Sequence, residues 1–130
     1  MPFVALVVDD SMLIRHTVCR FLEERGFTVE SATNGQDALE ILKRLQPHII
    51  VTDMNMPKMS GSELIAALKA QPATSKIPVV IVAGKQNGLE KKETMADFTI
   101  FKDIDIEDQL GRAINKLLGS TAARSQASGQ

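Results

Sequence analysis

The stretch "HIIVTDMNMPKMSG", residues 48–61, decides the fold. Ile49, Ile50 and Val51 are consecutive β-branched residues running through Thr52 into Asp53. A continuous apolar run of this kind belongs to a strand buried on both faces, as in the interior of a parallel sheet. A methionine-rich loop follows at once. Pro57 fixes the turn and stops the strand, and Gly61 lets the loop close onto a following helix. The segment therefore carries an acid from a buried strand into a tight loop.

Working outward, five short apolar runs alternate with helical patterns, which predicts a parallel sheet covered by helices. The strand candidates are Phe3–Val8, Thr28–Ala32, His48–Thr52, Val79–Ala83 and Phe98–Phe101. The first, third and fourth are nearly all apolar, whereas "TVESA" at 28–32 reads as an edge. Ile14, Val18, Phe21 and Leu22 form one helical stripe ending near Gly26. Ala38, Ile41, Leu42 and Leu45 form a second, closed by Pro47. Leu64, Ile65 and Leu68 mark a third, entered through Ser60 or Gly61, and Leu110, Ala113, Ile114, Leu117 and Leu118 make the clearest one. Between Asn87 and Asp97 the only helical material is "LEKKETMA", a brief or poorly formed helix. After Leu118, "GSTAARSQASGQ" is small and polar without periodicity. The expected organisation is one α/β domain over 1–118, with 119–130 a disordered tail or the start of a linker.

Composition narrows the function classes. The 130 residues suffice for one domain with a real core. Apolar residues are 44% and charged residues 24%, a globular balance. With 15 basic and 16 acidic residues, net charge gives no reason to expect nucleic acid or an anionic membrane as partner. Cys19 is the one cysteine, so an internal disulfide is excluded. No apolar run approaches the roughly 18 residues of a membrane span. "MPFVALVVDD" lacks the features of a signal peptide, so the expected location is the cytoplasm.

The acids now acquire a place. Ligands of an open parallel sheet bind outside the carboxyl ends of its strands. Asp9 and Asp10 follow strand one, Asp53 follows strand three, and Lys102 follows strand five. Three carboxylates sharing a small crevice with a single ammonium disfavour one another's ionisation unless something further neutralises them. A hard divalent cation such as Mg²⁺ does so through oxygen ligands. The remaining carboxylate can then act as a nucleophile, since an aspartate can form an acyl phosphate, while Lys102 holds the phosphoryl group as a point charge. Taken singly these signals are ordinary: "DD" is a common start to a helix, and an acid after a strand is often a cap or turn residue. Their joint arrangement at one edge carries the argument.

Other polar residues carry less. Cys19 fits a small half-buried hydrophobe. His16 and His48 lack metal-like spacing, and Lys91 and Lys92 read as a solvated face. Met54, Met56 and Met59 suit either loop packing or an adaptable partner surface.

"LVVDDS" at 6–11, "IIVTDMNMPKMSG" at 49–61 and "FK" at 101–102 resemble the three signature regions of the receiver domains of bacterial two-component response regulators. Residues 3–118 resemble the single-domain chemotaxis type. The resemblance implies a doubly wound, flavodoxin-like fold with five parallel strands in the order 2-1-3-4-5. It implies Asp53 as phosphoacceptor, Asp9 and Asp10 as the metal-side acids, and Lys102 as the phosphate-binding lysine. Asn55 would offer its backbone carbonyl to Mg²⁺, with Asp53 in the same ligand set. The implied partners are a sensor histidine kinase or phosphotransfer protein and a downstream protein target, in the bacterial cytoplasm.

The departures from that pattern concern readout. Ala83 occupies the position where the family usually has a Thr or Ser that binds a phosphoryl oxygen, and Gly84 follows it. Thr99 stands where a Tyr or Phe is usual, and Asp103 where a proline usually follows the lysine. The segment between Ala83 and Lys102 is about three residues shorter than the family resembled. Lys85 falls beside the phosphorylation site in the resembled fold.

Three readings compete. The first is a phosphoacceptor module of a phosphorelay that changes an interaction surface. The second is a receiver-like module that binds constitutively; Ala83, Thr99 and Asp103 favour it, whereas the intact Asp9, Asp10, Asp53 and Lys102 oppose it. The third is an Mg²⁺-dependent enzyme of the haloacid-dehalogenase type. That chemistry needs a second acid two residues after the nucleophile, where Asn55 stands, and a cap insertion that the chain lacks. A DNA-binding element is not expected either, since none follows Leu118.

Overall fold

The computed structural model describes residues 3–54, 56, 58–84, 96–102 and 105–118. Asn55, Pro57, Lys85, Lys91, Lys92, Asp103, most of the expected fourth-helix segment and the tail 119–130 lie outside the described residues. The elements, in chain order, are β1 (Val4–Val8), α1 (Met12–Glu24), β2 (Thr28–Ala32), α2 (Gly35–Leu42), β3 (Ile49–Asp53), α3 (Gly61–Lys69), β4 (Val79–Ala83), β5 (Phe98–Phe101) and α4 (Ile106–Leu117). The five strands form one parallel sheet in the order β2-β1-β3-β4-β5. The doubly wound α/β fold expected from the sequence is thus the fold observed.

Alternation along the strands divides the core in two. Ala5, Val7, Ile49, Val51, Val80, Val82 and Ile100 meet Val18 and Leu22 of α1 and Leu110, Ala113 and Ile114 of α4. Leu6, Val8, Ile50, Val79, Ile81 and Ala83 meet Ala38 of α2 and Leu64, Ile65 and Leu68 of α3. Burial of β3 and β4 at every residue explains their unbroken apolar runs. β2 lies at the edge, as "TVESA" indicates.

Local chemistry sets most helix ends. Ser11, Asn34, Ser60 and Asp105 cap α1 to α4, each side chain accepting from a backbone N–H of the first turn. Ser60 and Glu63 complete a capping box. Gly26, at φ +95°, follows the cap of α1 and lets the Phe27 N–H reach the Leu22 carbonyl at 3.0 Å.

Two boundaries differ from the sequence reading. α2 ends at Leu42, leaving Leu45 beyond the helix, because Lys43 and Arg44 donate three residues back, to Glu40 and Ile41, and tighten the final turn. β3 runs one residue later than expected, starting at Ile49 and including Asp53. His48 instead ties the strand entrance: its Nδ1 accepts from the Val4 N–H at 3.0 Å, and its ring meets Phe3 edge-on at 5.0 Å. The late register pairs Asp53 with Val82 and keeps the acid inside the ladder. β1 likewise starts one residue late, at Val4, although the Phe3 carbonyl still accepts from Thr28.

The three loop methionines pack rather than project. Met54, Met56 and Met59 lie against the α2–α3 side of the core, and Met59 sits directly over Gly35. Among the described residues, no helix is long and apolar enough to cross a membrane.

Gly61 is where the loop turns back beneath β3, its N–H donating to the Met54 carbonyl at 2.8 Å. A Cβ there would collide with the Asp53 carbonyl oxygen and lie 3.0 Å from the Met54 Cα, both main-chain atoms with little room to yield. Gly61→Ala is therefore expected to destabilise the protein by about 1–3 kcal/mol, measured as a lowered urea midpoint.

Candidate functional site

The parallel register places the carboxyl ends of β1, β3 and β5 at one edge of the sheet. Asp9 and Asp10 leave β1 there, Asp53 closes β3, and Lys102 follows β5. The sequence expectation that these four converge is met. Carboxylate oxygens of Asp9, Asp10 and Asp53 lie within 4.8 Å of one another, and Lys102 Nζ stands 3.1 Å from Asp53 Oδ1.

Their surroundings differ. Asp9 and Asp53 are buried, at 2% and 3% exposure, while Asp10 is exposed. Asp9 is held at several points: its backbone N–H donates to Ala32 and its Oδ1 accepts from the Ser11 N–H at 2.8 Å. Its carbonyl accepts from Arg15 Nη1 at 2.9 Å. Its Oδ2, however, is a buried oxygen with no hydrogen-bond partner. Native proteins rarely leave such an atom unsatisfied. Burial pushes the Asp9 carboxyl up to about 6, and the neighbouring charges of Asp53 and Asp10 add to the rise. The Ser11 N–H and the Lys102 ammonium pull the other way.

When all three acids are ionised, one ammonium leaves two negative charges unbalanced. A doubly charged hard cation matches that deficit, and the orphaned Asp9 oxygen, the exposed Asp10 and Asp53 offer it oxygen ligands. Asn55, the fourth expected ligand, lies outside the described residues.

Ala83 closes β4 at 3% exposure beside the site, and its carbonyl accepts from the Lys102 N–H at 2.9 Å. Ala83 is paired across the ladder with Phe101, and Thr99 with Ile81. An aromatic ring therefore does sit beside Ala83, two residues further along β5 than Thr99. Sequence reasoning overlooked Ser11, Arg15 and Gln109. Ser11 had a local signal, a serine immediately before an apolar helical stripe. Arg15 reaches back six residues to a main-chain oxygen and has none. Cys19 is half-buried against the α1–α4 core, as expected, and His16 is exposed, away from the acids.

With the geometry established, comparison with known proteins is direct. The family model of the response regulator receiver domain matches residues 5–115. The gliding motility regulatory protein of Myxococcus xanthus is 32% identical over 115 residues, covering 86% of this chain and 15% of that protein. A protein-glutamate methylesterase/protein-glutamine glutaminase of Methanococcoides burtonii is 37% identical over 94 residues, covering 69% of this chain and 26% of that protein. The chain thus spans only a minor part of these curated relatives. Among solved structures, the chemotaxis response regulator CheY4 of Vibrio cholerae superposes with a TM-score of 0.82 at 27% identity, covering 90% of this chain and 99% of that one. The receiver domain of a signal transduction histidine kinase from Syntrophus aciditrophicus gives 0.81 at 29% identity, covering 91% of each. The chain belongs to the response regulator receiver domains of two-component systems. These are signalling domains that interact with histidine kinases and downstream targets.

The environment of Asp9 fixes a pH dependence for the metal-free protein. Its carboxyl ionises near pH 6 in the folded chain, against an ordinary value of 3.8. Between those values the folded state binds more protons than the unfolded one, so this term stabilises at low pH and is lost as pH rises through about 6. Asp9→Asn should remove the dependence and raise metal-free stability at pH 7.5 by up to about 3 kcal/mol. Urea unfolding in EDTA at pH 5 and 7.5 checks both statements.

Proposed function

We propose that this chain is a phosphoacceptor whose Asp53 takes a phosphoryl group from a phosphohistidine of a sensor kinase or phosphotransfer protein. The observation that carries the reading is the buried Asp53 carboxylate, held 3.1 Å from the Lys102 ammonium and within 4.8 Å of two further acids. A carboxylate so placed can serve as the nucleophile, and a cation already stands where phosphoryl charge would arrive. In the transfer, a carboxylate oxygen of Asp53 forms the new P–O bond, the P–N bond of the donor breaks, and the leaving imidazole keeps the electron pair and gains a proton. Lys102 is the group that meets the incoming phosphoryl oxygens.

Asp9, Asp10, Asp53 and the Asn55 carbonyl would hold Mg²⁺. The ion supplies positive charge that lets carboxylates and phosphoryl oxygens share one crevice. Ser11 and Arg15 keep Asp9 oriented for this role by bonding its Oδ1 and its main-chain carbonyl. We take residues 1–118 as the receiver unit, 119–130 as a tail or linker, and the bacterial cytoplasm as its place of action. The downstream target is a protein, since neither net charge nor the described elements supply a nucleic-acid surface.

Readout is the unusual part. Ala83 has no hydroxyl to turn towards a phosphoryl oxygen, so a hydrogen bond to a charged group, about 1.5–3 kcal/mol, is missing from the switched state. Because 1.4 kcal/mol is about tenfold in population, that loss suffices to shift the balance between states. Asp53 accepts phosphate, and the β4 and β5 surface responds weakly or by another route.

Intact-mass measurement after acetyl phosphate and Mg²⁺ should show one phosphoryl group on the parent chain and none on Asp53→Asn. Mg²⁺-dependent labelling that persists in Asp53→Asn would overturn the assignment.

Lys102→Ala should impair the response to beryllofluoride, a phosphoryl mimic, far more than Mg²⁺ affinity, which holds or rises as a neighbouring cation is removed. Amide NMR shifts spreading from Ala83 through Thr99 into α4 on beryllofluoride binding would contradict the weak-readout proposal.

A further inference from the structure

Lys102 must start from a fixed main chain if its long side chain is to meet Asp53, and one residue of α4 supplies that fixity. In the parallel ladder Lys102 directs its N–H to the Ala83 carbonyl of β4 at 2.9 Å. The polar groups of the preceding residue, Phe101, therefore face the other way, across the open edge of the sheet. Gln109 meets both of them: its Oε1 accepts from the Phe101 N–H at 3.0 Å, and its Nε2 donates to the Phe101 carbonyl at 2.8 Å. The same Nε2 also reaches the Asp105 carbonyl at 3.3 Å, which fixes the carboxamide plane. One side chain thus replaces a missing sixth strand at a single residue.

We propose that Gln109 is a positioning residue for Lys102, acting through the Phe101 main chain and wiring α4 to the phosphoacceptor. The inference rests on the phosphoacceptor reading of Asp53. An exposed strand edge can be satisfied by water, so capping alone does not call for a carboxamide there. A mobile edge at Phe101 would let the Lys102 Cα wander, and a lysine already has many rotamers to lose on holding one contact. Clamping Phe101 from α4, with the Lys102 N–H bonded to β4, removes that freedom immediately before the lysine. The ordered line is Gln109, Phe101, Lys102, Asp53, and it enters the site without passing through Ala83.

The test uses the whole chain with Gln109→Met, which keeps length and apolar packing but loses both hydrogen bonds, alone and combined with Lys102→Ala. The chain has no Trp or Tyr, so NMR is the readout. Gln109→Met should bind Mg²⁺ like the parent but beryllofluoride about tenfold more weakly. In the Lys102→Ala background it should cost nothing further, because the lysine it positions is gone. Gln109→Glu, which retains the acceptor for the Phe101 N–H, should fall between and serves if the Met variant does not fold. Without any mimic, the Lys102 amide should exchange hydrogen faster in either variant. Parent-like beryllofluoride affinity, an equal loss in the Lys102→Ala background, or unchanged exchange at Lys102 would overturn the proposal. A parent chain that takes up no beryllofluoride would instead count against the phosphoacceptor reading, and the exchange measurement then decides the role of Gln109 alone.

Discussion

Three carboxylates within 4.8 Å of one another, two of them buried, are the constraint to which the rest of this structure answers. Such a cluster repels itself, and no gain in packing arises from the acids themselves. It persists because the strands that carry it are anchored elsewhere. β1 and β3 are buried nearly throughout and locked in parallel register from Ala5–Ile49 to Val8–Thr52. Two apolar layers, one under α1 and α4 and one under α2 and α3, hold the sheet on both faces. The core thus buries Asp9 and fixes its distance from Asp53; burial first, and then the neighbouring acids, hold its proton up to about pH 6.

The same constraint explains the ring of main-chain contacts around the acids. Ser11 caps α1 while its N–H bonds Asp9 Oδ1, so the helix start and the acid are set by one short turn. Gly61 passes so close beneath the Asp53 carbonyl that only a residue without Cβ fits. Met59 packs on Gly35, linking the loop after Asp53 to the start of α2. Each contact limits how far a strand end can retreat from its neighbours.

Departures at the β4–β5 end fall into a pattern once the register is known. Ala83 and Phe101 are direct ladder partners, so the small and the large side chain occupy one place on the sheet. Phe101 packs against the α2–α3 core, while its main chain is bound to α4 through Gln109. The β5 end of the site is therefore tied to the last helix by two hydrogen bonds.

The alternation of strands with helices and the four charged residues were legible in the sequence because each rests on a local signal, whereas the strand order came from the family resemblance. Unbroken β-branched runs mark Ile49–Val51 and Val79–Val82, helical stripes mark α1, α3 and α4, and the acids stand directly beside strand ends. Errors fell where local signals compete. His48 looked like part of β3 but is drawn away by Val4 and Phe3, and Leu45 continued an apolar stripe after the backbone had already tightened at Lys43. Three features were decided only by tertiary structure: the unsatisfied Asp9 oxygen, the packing of the half-buried loop methionines, and the grip of Gln109 on Phe101. Each depends on where a side chain meets atoms of another element, and such meetings leave no periodicity along the chain. Sequence alone determined which residues reach the edge of the sheet; packing determined which of them are buried and held.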